Sequence, residues 1–146
     1  MAQSCDPPSV WAPFGAFSQI VVSGQGRLVL LKGQVSLDRD GTVVGVGDMS
    51  AQVQQVLENV RTILAEVGGH MSDVVSLTQY TTDISAFMQA GVVRQAFFRP
   101  PYPVTTTVEV SALYDPALLV EITAIAEVPV SRFRQSRGAR EMHQAQ

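Results

Sequence analysis

Apolar and polar positions along this chain follow two different periods, and the points where the period changes mark the predicted elements. Gln19 to Val22 and Arg27 to Leu31 predict two short strands separated by Ser23-Gly24-Gln25-Gly26, a tight turn. A third short strand around Gln34 to Leu37 runs into Asp38-Arg39-Asp40-Gly41, where the Asp-Gly pair marks a hairpin turn. After Gly47 the spacing shifts to threes and fours. Val53, Val56, Leu57, Val60, Ile63, Leu64 and Val67 then form one apolar stripe on a helix of about five turns. Asp48 or Ser50 can cap its start, and Gly68-Gly69 stops it because glycine suits the left-handed position after a helix.

Val74 to Thr82 is rich in β-branched residues and predicts a strand. A second helix is predicted from Ile84 to Phe98, capped by Asp83, with Ile84, Phe87, Met88, Val92 and Ala96 on one side. Arg99-Pro100-Pro101 ends it, since proline lacks the amide hydrogen and restricts the residue before it. Val104 to Leu113 and Leu118 to Val128 predict two long strands joined by a turn at Tyr114-Asp115-Pro116-Ala117. The order β-β-β-α-β-α-β-β, with two helices on one face of a mixed sheet, defines an α+β domain.

Alternation in the last strand places Leu118, Val120, Ile122, Ala124, Ala126 and Val128 on the helix side and Glu121, Thr123 and Glu127 on the other. If the preceding strand keeps the same alternation, Thr105, Thr107 and Glu109 share that second face. Leu113, Leu119 and Ile125 also lie there, so the face is mixed. It reads equally well as a seam between subunits with carboxylates lining pockets, or as a solvated face with ordinary surface glutamates.

Composition narrows the picture. At 146 residues there is room for one core, and 46% hydrophobic with 16% charged residues is the balance of a globular domain. A mean hydropathy of +0.16 is high for so small a chain and points to apolar surface buried against another subunit. No apolar run reaches the roughly 20 residues of a membrane helix. Residues 1–12 have neither a basic nor an apolar signal region, and Cys5 is a lone thiol, so a reducing cytoplasm is expected. The net charge of −3 divides into +3 on residues 131–146, which hold Arg132, Arg134, Arg137 and Arg140 against Glu141, and −6 elsewhere. The acidic body argues against nucleic-acid binding. The chain divides into an N-terminal arm (1–13), a folded domain (14–130) and a polar, arginine-containing tail (131–146) expected to be disordered. His70, His143 and Cys5 make no metal-ligand spacing, and no nucleophile elbow accompanies His70, so no metal or cofactor is expected. Trp11 and Phe14 read as core packing for the arm rather than cover for a neighbour's cleft.

An ordered series of landmarks now lines up: Phe17-Ser18-Gln19, Gly33-Gln34, Ala51-Gln52 with Leu57, Asn59-Val60 and Leu64, then Thr78, Tyr80, Asp83 and Phe87. Phe97-Phe98, Pro103, Thr107-Val108-Glu109-Val110, Leu113 and the run from Val120 to Ala126 complete it. Over residues 15–128 this resembles the YjgF/RidA superfamily. The resemblance implies a chorismate-mutase-like fold, a homotrimer, and three clefts at its interfaces. In the RidA branch such clefts hydrolyse enamines and imines, such as 2-aminoacrylate, to ketoacids and ammonia without metal or cofactor.

Residue by residue, the resemblance gives Glu121 the role of the acid that activates water, and Gly33 that of the glycine whose backbone lines the pocket. Phe17 stands for a tyrosine, Thr107 for a cysteine, Lys32 for a serine and Gly91 for an asparagine. Thr105 stands where RidA-type deaminases carry the arginine that grips the substrate carboxylate. A bidentate guanidinium–carboxylate pair in such a cleft contributes about 1.5–3 kcal/mol. Threonine cannot supply it, and Lys32 is the candidate replacement cation or, with a lowered pKa, an acid or base beside Glu121; a plain surface ion pair is its alternative. The expected function is hydrolysis of a C–N bond in a small-molecule enamine or imine outside the amino-acid-derived set, with catalytic Glu121 and substrate contacts from Phe17, Lys32, Gly33, Thr105 and Thr107. The alternative is a non-catalytic ligand-binding or regulatory trimer.

Overall fold

The computed structural model describes residues 1–142; His143 and the rest of the chain end lie outside the described residues. Its framework is a mixed sheet with helices on one face. In chain order the strands are β1 (Gln3–Cys5), β2 (Ile20–Val22), β3 (Arg27–Leu30), β4 (Gln34–Val35), β5 (Val74–Thr81), β6 (Val104–Glu109) and β7 (Val120–Val128). The helices are α1 (Met49–Glu66), α2 (Ile84–Gln89) and α3 (Gly91–Gln95), with a single 3-10 turn at Met71–Asp73.

Helix α1 forms where the apolar period predicts it. Val53, Val56, Leu57, Val60 and Leu64 are fully buried against the sheet, while Ile63 sits at the exposed margin of the stripe. Asp48 caps its start, its Oδ1 accepting the Ala51 amide at 3.0 Å. At the other end Gly68 takes φ +78°, and the Gly68 and Gly69 amides reach back to the Ala65 and Leu64 carbonyls. This is a paired C-terminal cap, and it needs a residue without a Cβ at the left-handed position. Buried Gln52 ties the helix to two loops, donating to the Gly45 and Ala117 carbonyls and accepting the Leu119 amide.

The main sheet runs β3-β7-β5-β6, and β4 also pairs with β7, continuing the edge that β3 begins. Strands β5 and β6 are parallel; β7 is antiparallel to its neighbours. Although β6 and β7 are consecutive and joined by a turn, β5 lies between them. Among the described residues, no strand pairs with the outer side of β6 at one edge or of the broken β3–β4 line at the other. Strands β1 and β2 form a separate two-stranded ribbon, so the first residues of the arm, Cys5 among them, pair with the body.

Three expectations are corrected. The predicted helix from Ile84 to Phe98 breaks at Ala90, whose amide is shared between the Ala86 and Phe87 carbonyls. Phe87 of α2 is buried, while Met88 of α2 and Val92 of α3 are exposed. Trp11 and Phe14 are not core residues: they are 60% and 79% exposed. Arg132 and Arg134 are bonded to the body. Arg132 pairs with Asp73 at 2.6 Å and donates to the Gly68 carbonyl, and Arg134 donates to the Ala65 carbonyl at 2.7 Å. These cations meet the carbonyl-rich end of α1, where positive charge is favoured.

Candidate functional site

The register of β6 decides where its threonines point. Leu77 pairs with Thr105 and Gln79 with Thr107, and both β5 residues face the helices together with Ala124 and Ile122. Thr105, Thr107 and Glu109 therefore lie on the helix side, opposite to the expectation drawn from β7. Glu109 stays close to the helices, where its Oε1 accepts the Ile84 amide at 3.0 Å. Thr105 and Thr107 line a cleft of about 520 Å³ between β6, the α2–α3 break and the aromatic arm.

Gly91 and Arg94, one turn apart on α3, face this cleft, as do Gln79 and Phe17. The Arg94 guanidinium makes one hydrogen bond, to the Ala16 carbonyl at 3.3 Å, and no ion pair among the described residues. Burial holds its pKa below the ordinary value, partly offset by the nearby Tyr102 hydroxyl, yet an arginine remains charged at any physiological pH. Gln79 is 2% exposed; its Nε2 donates to Thr107 Oγ1 at 2.8 Å, and its Oε1 is buried with no partner. An unsatisfied buried carbonyl of this kind costs about 1–3 kcal/mol. Trp11, Phe14 and Phe17 form one aromatic cluster at the mouth, with ring centroids 5.2–5.8 Å apart.

A second set of residues gathers on the other face and toward the other edge. Glu121 pairs with Val35 of β4 and with Tyr80 of β5, and it is half-buried without a hydrogen bond or ion pair among the described residues. Gly33 sits at the jog between β3 and β4, where a Cβ would overlap the Glu121 carboxylate and crowd the Thr123 hydroxyl. Lys32 is exposed beside it and does not line the cleft.

Within one chain, then, Phe17, Thr105 and Thr107 come together in the cleft, while Gly33, Glu121 and Lys32 stand apart on the opposite face. Arg94 and Gln79 were missed by sequence reading. A signal existed for each: Arg94 follows Gly91 by three residues, and Gln79 is the polar member of the inward series Leu77, Gln79, Thr81. Glu127 is structural. Its carboxylate accepts the Gly24 and Gly26 amides at 2.7 and 3.2 Å and fixes the turn before β3. Another cavity, of about 430 Å³, contains Asp73, Arg132 and Glu127, whose charged groups are already hydrogen-bonded. Among the described residues, no cluster of His, Cys, Asp and Glu could hold a metal, and no helix is long and apolar enough to cross a membrane.

Comparison with known proteins agrees with this architecture. The sequence model of the family described as Endoribonuclease L-PSP matches residues 9–128. Protein DfrA of Myxococcus xanthus is 38% identical over 112 residues, covering 77% of this chain and 85% of that protein. A RutC family protein of Pyrococcus abyssi is 33% identical over 114 residues, covering 78% and 87%. The crystal structure of YyfB from Yersinia pestis, a protein of the conserved Rid family, superposes with a TM-score of 0.75 at 30% identity, over 87% of this chain and 98% of that one. RidA from a Psychrobacter species gives a TM-score of 0.64 at 31% identity, over 86% and 99%.

Proposed function

The chain belongs to the Endoribonuclease L-PSP family, that is, to the YjgF/RidA superfamily, and on that premise we propose that it is a cytoplasmic homotrimer that hydrolyses a small-molecule enamine or imine to a carbonyl compound and ammonia. The observation that carries this reading is the division of the site. The cleft with Phe17, Thr105 and Thr107 borders one open sheet edge, and Gly33 with Glu121 borders the other. An edge of one copy set against the opposite edge of the next is a head-to-tail contact, which closes into a ring when the rotation allows. Such a contact brings Glu121 of one copy toward the cleft of its neighbour. It also covers apolar groups that a lone chain leaves in water, Leu30 (71% exposed) and Val108 among them.

The chemistry asks little of the protein. A protonated imine is already electrophilic. Glu121 takes a proton from water as the oxygen bonds to the carbon of the protonated imine, giving a carbinolamine; the carboxylic acid so formed returns the proton to nitrogen, and as the C–N bond breaks the hydroxyl proton left on the carbonyl oxygen passes to the departing ammonia, which leaves as ammonium. Imine and water become carbonyl compound and ammonia, with no redox change and no metal or cofactor. Thr105 and Thr107 hydroxyls hydrogen-bond the substrate's polar groups, and Phe17 packs against its body. The threonine at 105 in place of an arginine favours one second reading, a ligand-binding trimer without turnover. The acidic body gives no support to nucleic acid as the partner.

The test is ammonia release from freshly generated 2-aminoacrylate and a wider enamine panel, comparing the wild type with Glu121→Gln and Thr105→Arg. Turnover of at least one substrate by the wild type, falling by about 10²–10⁴ in Glu121→Gln, is expected. A wild type inert on the whole panel would leave the binding trimer.

A further inference from the structure

A carboxylate that takes a proton from water does not by itself aim the water. Bonded through one hydrogen, the molecule swings about that bond; with both hydrogens held, its remaining lone pair has one direction, and orientation of this kind contributes to rate. Three observations bring a second group to the water at Glu121. Thr123 follows Glu121 by two residues on β7, so both side chains stand on the face away from the helices. A Cβ on Gly33 would overlap the Glu121 carboxylate and lie 3.0 Å from Thr123 Oγ1, so the two oxygens flank one point of the jog and a single water can bond to both. The Thr81 and Thr107 hydroxyls are already bonded within the chain, whereas that of Thr123, like the Glu121 carboxylate, has no partner among the described residues. Both residues are half-buried, so each keeps surface for solvent.

We propose that Thr123 is the second water-binding residue of the site: its Oγ1 accepts the hydrogen that stays on the water oxygen, while Glu121 accepts the hydrogen that is transferred. The proposal rests on the hydrolytic reading of Glu121. With both hydrogens held from the sheet side, the free lone pair points off the sheet, toward the cleft of the adjoining copy. As that oxygen bonds to the imine carbon, its bond to the hydrogen on Glu121 breaks, and the hydrogen on Thr123 remains as the carbinolamine hydroxyl. Thr123 itself gains and loses no proton in this step. Gly33 completes the arrangement, because the room left by its missing side chain lets the carboxylate lie against the backbone on Thr123's side. Thr78 is the contrasting case: it pairs with Thr123 across β5 and β7 on the same face, but it is not among the groups that close on Gly33.

The test compares full-length wild type with Thr123→Val, Thr123→Ser and Thr78→Val, by steady-state ammonia release and by crystal structures. Valine keeps the branched shape and strand preference of threonine and removes only the hydroxyl, so the fold is expected to survive. Thr123→Val should lower kcat by about tenfold at unchanged KM, the effect of one lost hydrogen bond to the reacting water. Thr123→Ser, which restores a hydroxyl, should stay within about twofold of wild type, and so should Thr78→Val. The wild-type crystal should show a water within hydrogen-bond distance of both Thr123 Oγ1 and the Glu121 carboxylate, and the Thr123→Val crystal should lack it. An unchanged kcat in Thr123→Val, a loss that serine fails to restore, or an equal loss in Thr78→Val would overturn the proposal. If the wild type releases no ammonia from any substrate, the hydrolytic reading falls and the crystals decide alone: the bridging water, present in wild type and gone with the hydroxyl, supports the two-residue water site, and its absence from wild type overturns it. If Thr123→Val does not fold, the wild-type crystal and the Thr123→Ser rates carry the test.

Discussion

Thr107 and Glu121 point to opposite faces of one sheet. Thr107 pairs with Gln79, Glu121 pairs with the adjacent Tyr80, and successive residues of β5 face opposite ways. A water activated at Glu121 therefore cannot reach a ligand beside Thr107 of the same chain. The proposed chemistry has to be completed between copies, and breaking the seam that joins them must abolish it.

Leu30→Lys places a charge on the exposed outer face next to the Gly33 jog, at a side chain that makes no contribution to the core of the lone chain. Sedimentation is expected to show trimers for the wild type and monomers for the variant, with an unchanged circular dichroism spectrum. Ammonia release should vanish together with assembly. A trimer that survives the substitution would move the seam to another surface.

Mixing two inactive variants should restore activity. Glu121→Gln damages one half-site and the double change Thr105→Val, Thr107→Val the other, and co-refolding them in equal amounts leaves about a quarter of the interfaces with both halves intact. The rate recovered should approach that fraction of wild type. If every site lay within one chain, the mixture would be as inactive as its components.

Gly33→Ala should separate catalysis from stability. The added methyl overlaps the Glu121 carboxylate, which can swing aside because its neighbours leave it unbonded. A displaced carboxylate costs about 10²-fold in kcat, and the change in unfolding free energy should stay near 1 kcal/mol. Steady-state rates and thermal melts on the same preparation decide this; equal losses in both would make Gly33 a folding residue only.

Arg132→Met should destabilise without touching activity. Asp73 is buried, and losing its guanidinium partner leaves, among the described residues, the His70 amide at 2.7 Å, at a cost of about 1.5–3 kcal/mol. The hydrogen bond to Asp73 raises the Arg132 pKa above its ordinary value, outweighing desolvation, with the charge attraction adding to it. Its contribution is thus complete below the ordinary arginine pKa and is lost only as pH climbs through the raised value. Melting curves should show the same deficit in the variant at pH 6 and pH 9; a deficit that disappears between them would point to another titrating group.

Helix α1 was legible because its signals agree: the stripe from Val53 to Leu64, the Asp48 cap and the Gly68-Gly69 stop all demand the same helix. The ordered landmarks likewise carried the family and brought Glu121 and Gly33 together. The facing of β6 was not legible. Val-Thr-Thr-Thr-Val-Glu has no apolar alternation of its own, so its orientation is set by pairing with Leu77 and Gln79, a relation between distant segments. The break at Ala90 is local in cause but weak in sequence, since Ala90-Gly91 inside an apolar period resembles a tolerated glycine. Arg94 escaped notice because that break aims it.

The distance between the two halves has a consequence for how such a scaffold changes over time. Among the described residues, no side chain belongs to both the cleft and the Glu121–Gly33 face. Substitutions at Phe17, Gln79, Arg94, Thr105 or Thr107 can re-aim what is held without disturbing the surroundings of Glu121 or Gly33. Under the proposed reading, a lineage built on this sheet can exchange one ligand for another while inheriting the Glu121 side of the site unchanged, and a threonine at 105 in the same cleft as an arginine at 94 is what one such exchange would look like.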